Sequence, residues 1–163
     1  MPDYRQSDRQ HQSQRHGQTQ HERQRGMQEE SPVREIKQKL DNYKVAGLKN
    51  LPADELVSIA DKMGKYLKNI DLKTTQIRKF LDGVRKIDAQ SDKGKSFNSD
   101  SVVLLKPKLA YAAGRDREKV MPLMQVLEPA ITAGAKTYDD FKRLVSLIEG
   151  IIAYHRFHGG RDS

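Results

Sequence analysis

Residues 51–70 read LPADELVSIADKMGKYLKNI and repeat apolar side chains at helical intervals. Pro52 is suited to the start of a helix, and the acids Asp54 and Glu55 follow in the first turn, where the helix dipole favours negative charge. Apolar residues three and four positions apart form one stripe on a helix surface. Here the stripe consists of Leu56, Ile59, Ala60, Met63, Leu67 and Ile70. The pattern predicts an amphipathic helix that turns this stripe toward a core.

The same spacing continues on both sides of this stretch. Ser31 and Pro32 predict the start of an earlier helix, which Gly47 is expected to end. Its predicted buried face is Val33, Ile36, Leu40 and Tyr43. After the first stretch, the hydroxyl of Thr74 or Thr75 is expected to cap another helix. The predicted buried side of that helix is Ile77, Phe80, Leu81, Val84 and Ile87.

The second half of the chain carries further helical patterns. A polar linker at residues 91–100 precedes a helix that Gly114 is expected to end in the left-handed conformation. The apolar line of this helix is Val102, Leu105, Leu109 and Ala112. Pro122 and Pro129 are expected to divide the next stretch into a helix over about residues 121–128 and a shorter piece, because proline lacks an amide donor.

The last helix has the clearest start signal. Thr137 is followed three residues later by Asp140, which predicts a capping box, and Gly159 is expected to stop the helix. Its predicted buried face is Phe141, Leu144, Val145, Ile148 and Ile152. No segment alternates polar and apolar residues with a period of two. The sequence therefore predicts an all-α, compact bundle of five to six helices over residues 32–163.

Residues 1–31 differ from the rest of the chain. They contain eight Gln, three His and five Arg against five acids, with few larger apolar groups. Such a segment cannot bury enough apolar surface to offset the entropy lost on ordering, so we expect a disordered N-terminal tail. The tail is either a lineage-specific or tag-like extension or a source of weak, nonspecific RNA contacts.

Composition limits the class of protein. A chain of 163 residues is sufficient for one domain, and the absence of Cys excludes disulfides and thiolate metal sites. The longest aliphatic run, residues 102–105, is far shorter than the roughly 20 apolar residues of a membrane span. The first 30 residues lack an apolar signal segment. We therefore expect a cytoplasmic protein that does not bind a membrane.

The formal net charge of +8 is unevenly distributed. Residues 32–163 carry 25 Lys and Arg against 17 Asp and Glu, whereas residues 1–31 are neutral overall. Residues 73–119 alone hold twelve basic and six acidic side chains. Positive charge concentrated on part of a small domain indicates a polyanionic partner, and nucleic acid leads among these.

Two cationic pairs lie on the predicted solvent side of the helix that begins near Thr74. Arg78 and Arg85 are seven residues apart, as are Lys79 and Lys86, so each pair repeats along one helix line after about 10 Å. That separation allows the side chains to reach different phosphates of one strand. The alternative is an ordinary solvated face, partly neutralised by Asp82.

The following helix carries a second cluster. Lys108, Tyr111 and Arg115 share one face by their spacing, while Lys106 projects elsewhere. An aromatic ring between two cations can stack on a base or ribose while the cations hold phosphates. The alternative is a core tyrosine whose hydroxyl reaches the rim. Pro107 requires the helix either to start near it or to bend there.

Catalytic constellations are missing from the sequence. There is no glycine-rich phosphate loop, no thiol, and no carboxylate pair outside the tail and the predicted helix starts. His155 and His158 are three residues apart; they either bind a metal weakly or form a polar helix end. We prefer the helix end, and predict a protein that is not an enzyme and needs no cofactor or metal.

Three segments resemble parts of a known family, two of them its signatures. Residues 72–81, LKTTQIRKFL, are similar to a helix of the small subunit of the type III-A CRISPR (Csm-type) complex. Residues 104–115, LLKPKLAYAAGR, resemble the second signature of that family, and residues 151–157, IIAYHRF, are similar to its closing helix. The resemblance covers roughly residues 48–158 and omits the tail.

The resemblance implies a non-catalytic helical subunit of a ribonucleoprotein for antiviral defence. Such small subunits line the guide RNA and target RNA, contact other subunits of the complex and further copies of themselves, and leave cutting to other subunits. Carried over to this sequence, the two signatures assign RNA backbone contact to Arg78, Lys79, Lys106, Lys108 and Arg115. Helical geometry alone adds Arg85 and Lys86.

Two other functions compete with RNA binding. The first is a helical adaptor whose basic face binds an acidic protein. The second is a DNA-binding protein that uses residues 73–87 as a recognition helix, although no helix-turn-helix spacing with a short glycine-containing turn precedes them.

Overall fold

Helices account for most of residues 32–163, the part of the chain that the computed structural model describes. No strand occurs in this range, and none of its helices is long and apolar enough to span a bilayer. The predicted all-α bundle is confirmed, whereas the tail at residues 1–31 and the Ser31 cap lie outside the described residues. The α-helices are α1 (32–41), α2 (Tyr43–Ala46), α3 (Ala53–Asn69), α4 (Thr74–Gln90), α5 (Ser99–Val103), α6 (Leu105–Arg115), α7 (Arg117–Gly134) and α8 (Tyr138–Phe157). Single 3₁₀ turns occupy Leu48–Asn50 and Asp92–Gly94.

The core forms where α8 lies against α3, α4 and α7. The predicted stripe of α3 is buried, apart from Ile70, which follows the helix and is half-buried. α8 buries a wider face than its periodicity predicts, because three helices surround it. Leu147 and Ile151 are fully buried, while the predicted Val145 and Ile152 lie at the half-buried margin.

Small residues allow α3 and α8 to approach closely. A β-carbon added to Gly64 of α3 would lie 2.5 Å from the backbone nitrogen of His155 and 2.8 Å from the carbonyl carbon of Tyr154. One added to Gly150 of α8 would lie 3.0 Å from the β-carbon of Ala60. Since real β-carbons do not approach backbone atoms to 2.5 Å, glycine is required at position 64 for this crossing.

His155 joins the same crossing to the start of α4. Its ring is fully buried, Nε2 donates to the carbonyl oxygen of Leu72 at 2.7 Å, and Nδ1 lies 3.1 Å from the hydroxyl oxygen of Thr74. Burial lowers the pKa of His155, although the hydrogen bond to Leu72 acts in the opposite direction. The imidazole therefore acts as a buried polar bridge between α8 and the connection from α3 to α4.

The predicted caps of α4 are wrong. Thr74 is the first residue of the helix, and its amide donates to the carbonyl oxygen of Arg161 at 2.9 Å. The hydroxyl of Thr75 donates to the carbonyl oxygen of Asp162 at 2.8 Å. Both threonines thus bind the C-terminal residues, which are more than 80 positions away in sequence. The local cap comes instead from Gln76, whose Oε1 accepts from the Lys73 amide at 3.0 Å.

The predicted capping box at the start of α8 is confirmed and has a second role. Oδ2 of the buried Asp140 accepts from the Thr137 amide at 3.0 Å, while Oδ1 accepts from the Lys49 amide at 2.8 Å. Gly47 ends α2 as predicted, with φ of 99°; a β-carbon there would lie 2.5 Å from Asp140 Oδ1. One carboxylate therefore caps α8 and binds the turn that follows α2.

Pro107 lies in α6, which begins at Leu105 and is separate from α5, which ends at Val103. This agrees with a start near Pro107, which occupies the first turn of α6, where its missing amide costs little. The predicted end at Gly114 is wrong, since α6 continues to Arg115 without a left-handed residue. Ala113 is buried in place of the predicted Ala112, because the line of Leu105 and Leu109 repeats every four residues.

The predicted division at Pro122 and Pro129 is also wrong. Both prolines lie inside the continuous α7. The carbonyls that lose an amide partner are those four residues earlier, on Glu118 and Gln125, and both residues are exposed. Water can satisfy carbonyls at such exposed positions, so the helix continues through both prolines, and Pro129 itself packs in the core.

We expect Gly64→Ala to lower the free energy of unfolding by about 1 to 3 kcal/mol, since overpacked sites typically cost that much. Gly114→Ala is the matched control: a β-carbon at Gly114 meets nothing within 4 Å. The control should be neutral or stabilise by about 0.5 to 1 kcal/mol through helix propensity. Denaturant titration of both variants tests this, and equal effects would contradict the close crossing.

We expect His155 to make stability fall as the solution is acidified. Because its folded pKa is lowered, the unfolded chain binds the proton more readily, and stability is lost as pH falls through the ordinary value of about 6.5. His155→Gln removes this contribution. The stability difference between wild type and variant should therefore narrow between about pH 7.5 and about pH 5. A constant difference in urea titrations across that range would contradict the prediction.

Candidate nucleic-acid interface

One face of α6 carries Lys108, Tyr111 and Arg115, as its periodicity predicts. All three side chains are exposed, and Tyr111 retains 70% of its surface. The guanidinium carbon of Arg115 lies 5.9 Å from the centroid of the Tyr111 ring. The core alternative for Tyr111 is therefore wrong: the buried line of α6 is Leu105, Leu109 and Ala113, and Tyr111 points away from it.

A groove of about 460 Å³ lies between this face and α4. Apolar side chains form its floor, among them the buried Leu72, Leu109 and Leu123. Its polar lining includes Lys79 of α4 together with Lys108 and Arg115 of α6. The remaining lining residues are Gln76, Phe80, Gly83, Leu105, Tyr111, Ala112, Asp116 and Val120. Three of the seven cations predicted for RNA contact, Lys79, Lys108 and Arg115, thus meet the exposed Tyr111 around one concave surface.

The groove is positively charged. Within residues 32–163, Lys79, Lys108 and Arg115 form no ion pair with an acidic side chain. Asp116 is the acidic residue among the groove-lining side chains of this range, and its Oδ2 accepts from Gln76 Nε2 at 3.1 Å. Three cations without an internal counterion therefore remain available to a polyanion.

The other predicted cations of α4 lie apart from the groove. Arg78 contacts Asp162 at 3.4 Å, and Arg85 contacts Glu149 of α8 at 3.1 Å. Lys86 is exposed but does not line the groove. The helical line of Arg78 and Arg85 thus borders α8 and the C-terminal residues, whereas Lys79 faces α6.

Lys106 points to α7. Its ammonium lies 3.2 Å from Glu128 and 2.7 Å from the hydroxyl oxygen of Thr132. This agrees with the expectation that Lys106 projects away from Lys108. These contacts pair the Lys106 ammonium with groups of α7. Of the seven cations proposed for RNA contact, Lys106 is therefore the least available to bind a phosphate.

Sequence reasoning missed three polar or aromatic parts of the groove. Phe80 was expected in the core, but it is half-buried and lies on the groove wall. Gln76 and Asp116 come from different helical segments, so their hydrogen bond requires the tertiary fold. The four-residue repeat of Leu105, Leu109 and Ala113 was the available signal that Tyr111 is exposed.

The histidine pair is divided between two environments. Both ring nitrogens of His155 are used by Leu72 and Thr74, whereas His158 Nε2 lies 2.5 Å from Asp61 Oδ1. The two imidazoles therefore do not present a shared metal site. Among residues 32–163, no group of three or more potential His, Asp or Glu ligands is assembled.

Comparison with known families matches residues 50–161, more than half of the chain, to the family described as Csm2 Type III-A. Comparisons with curated proteins and with solved structures each gave no match. The matched span contains α3 to α8, both signature segments and every residue that lines the groove. The chain therefore belongs to the Csm2 Type III-A family and is a small subunit of the type III-A Csm complex.

Proposed function

We propose that this subunit is not catalytic and that it binds the backbone of guide RNA and target RNA through the groove between α4 and α6. The observation that carries the proposal is the convergence of Lys79, Lys108 and Arg115 beside the exposed Tyr111. With the other subunits of the Csm complex, in the cytoplasm, it would contribute to antiviral defence.

The cations act on RNA without reading its sequence. Ammonium and guanidinium groups attract phosphates and release condensed counterions, which favours binding at low salt. Contacts of this kind position a strand, while base pairing between guide and target supplies specificity. Lys79 and the pair Lys108 and Arg115 stand on different helices, so they can hold phosphates on both sides of the groove.

Tyr111 adds a non-ionic contact. Its exposed ring stands beside the apolar floor, and Arg115 lies against it at 5.9 Å. An exposed aromatic ring is a platform for an unpaired base or a ribose, and stacking tolerates any sequence. This combination of aromatic ring and free cations favours RNA over the alternative of an acidic protein partner.

Contacts with protein subunits would use other surfaces. Val45 of α2, Leu104 before α6 and Phe157 at the end of α8 expose 89%, 61% and 79% of their surfaces, and none of them lines the groove. Exposed large apolar side chains are typical of interaction sites. These positions support docking of further copies of this chain and of other Csm subunits outside the RNA surface.

We expect the triple substitution Lys79→Ala, Lys108→Ala and Arg115→Ala to weaken binding of RNAs of any sequence. Each lost phosphate contact should flatten the dependence of log K on log salt by about 0.7 to 0.9. Fluorescence anisotropy with a short labelled RNA at several salt concentrations measures both quantities.

The matched control is Arg34→Ala, Lys37→Ala and Lys65→Ala, which removes the same charge from exposed positions on α1 and α3. An equal loss of RNA affinity in both triple variants would show that only net charge matters, and would contradict binding at the groove. Acidic polyglutamate serves as a competitor that imitates an acidic protein. If it displaces RNA from wild type no more effectively than from the groove variant, it does not bind the groove. The alternative of an adaptor that binds an acidic protein through the same face is then excluded.

We expect Tyr111→Ala to weaken RNA binding by about 1 to 3 kcal/mol if one base stacks on the ring. Tyr111→Phe keeps the ring and should bind as wild type does. Because no charge is removed, the salt dependence should stay unchanged in both variants. Equal losses in the two variants would show that the hydroxyl, and not stacking, is responsible.

A further inference from the structure

The residues after α8 turn back onto α4. Gly159, with φ of 95°, follows the end of the helix, and Gly160 lies against the ring of His155. A β-carbon at Gly160 would lie 2.2 Å from His155 Nδ1, so only glycine permits this path. The carbonyl oxygens of Arg161 and Asp162 then accept from Thr74 and Thr75. We call residues 159–162 the C-terminal clasp.

The side chain of Asp162 lies between two arginines. Its Oδ1 contacts Arg156 of α8 at 2.8 Å and Arg78 of α4 at 3.4 Å. A carboxylate held by two guanidinium groups reproduces the contacts that arginines make with a phosphate. The clasp therefore places an internal anion on a pair of phosphate-binding side chains.

The main chain and the side chain of the clasp are held with different strength. The backbone of the clasp is anchored by hydrogen bonds to Thr74 and Thr75 and by packing on the buried His155. The Asp162 side chain is 48% exposed, and the side chains of its partners Arg78 and Arg156 are 50% and 46% exposed. Ion pairs this exposed contribute little, so the carboxylate can leave while the backbone stays in place.

One of the two covered arginines, Arg78, is next in sequence to a cation that lines the groove. Arg78 precedes Lys79, which lines the groove, so about 100° of helix rotation separates the two cations. A strand whose phosphate lies on Lys79 can bring a neighbouring phosphate to Arg78 only if Asp162 moves away. A phosphodiester carries the same charge as the carboxylate, and its counterion release adds to its binding.

We propose that Asp162 masks a second phosphate site made by Arg78 and Arg156, and that an RNA phosphate displaces it. This inference rests on the proposed function, since it extends the same RNA along α4. The clasp then acts as an internal competitor: Arg78 is neutralised in the free subunit and binds RNA after the exchange.

The test measures affinity of the full-length chain for a short mixed-sequence RNA after Asp162→Asn. We expect about threefold to tenfold tighter binding, the range set by removing one or two exposed ion pairs that compete with RNA. The salt dependence should stay near that of wild type, because both proteins hold the same phosphates once Asp162 has been displaced. Thermal unfolding checks that the anchored clasp keeps the fold intact.

Two further variants make the result specific. Asp139→Asn removes another exposed carboxylate with a local Lys142 partner at 3.0 Å, and changes net charge equally. Its RNA affinity should stay near that of wild type. The double variant Asp162→Asn with Arg78→Gln should lose most of the gain.

The possible failures are distinguishable. Unchanged affinity in Asp162→Asn, an equal gain in Asp139→Asn, or a gain that persists without Arg78 overturns the masked site. If the groove triple variant binds RNA as wild type does, the proposed function fails, whatever Asp162→Asn does. Absence of any RNA binding by wild type overturns both.

Discussion

The crossing of α3 and α8 is the constraint on which the rest of the structure depends. Gly64 allows the α3 backbone to approach that of α8, and His155 lies at the same point. Its imidazole then extends the crossing to α4 through Leu72 and Thr74. A larger residue at position 64 would separate the helices and move the imidazole away from its partners. The orientation of the cationic face of α4 is therefore set from inside the core.

The same helix packing determines which positive side chains of α4 have an acidic partner. α8 and the clasp place Glu149 and Asp162 beside Arg85 and Arg78, on one side of α4. The other side meets α6, whose residues 105–115 contain no acid. Charge is thus neutralised toward the bundle and left uncompensated at the groove. Net charge alone predicts a polyanionic partner, but the location of the free cations follows from helix packing.

The cations of the groove and those beside the clasp differ in whether they already hold an acidic partner. The groove offers cations without counterions beside an aromatic ring, whereas the neighbouring arginines already hold a carboxylate. Family membership places the chain in the Csm complex, and the backbone contacts that we propose would leave sequence recognition to base pairing.

The sequence by itself determined the helical class, the stripe of α3, the capping box of Thr137 and Asp140, and the shared face of Lys108, Tyr111 and Arg115. These features depend on the helical repeat and on contacts within one turn, which local sequence specifies. Only the tertiary structure decided that α7 continues through Pro122 and Pro129 and that Thr74 and Thr75 bind the C-terminal residues. It also decided which α4 cations are free, because Asp162 and Glu149 come from distant parts of the chain. Such outcomes depend on which surfaces meet, and a helical period read along one segment contains no information about its partner.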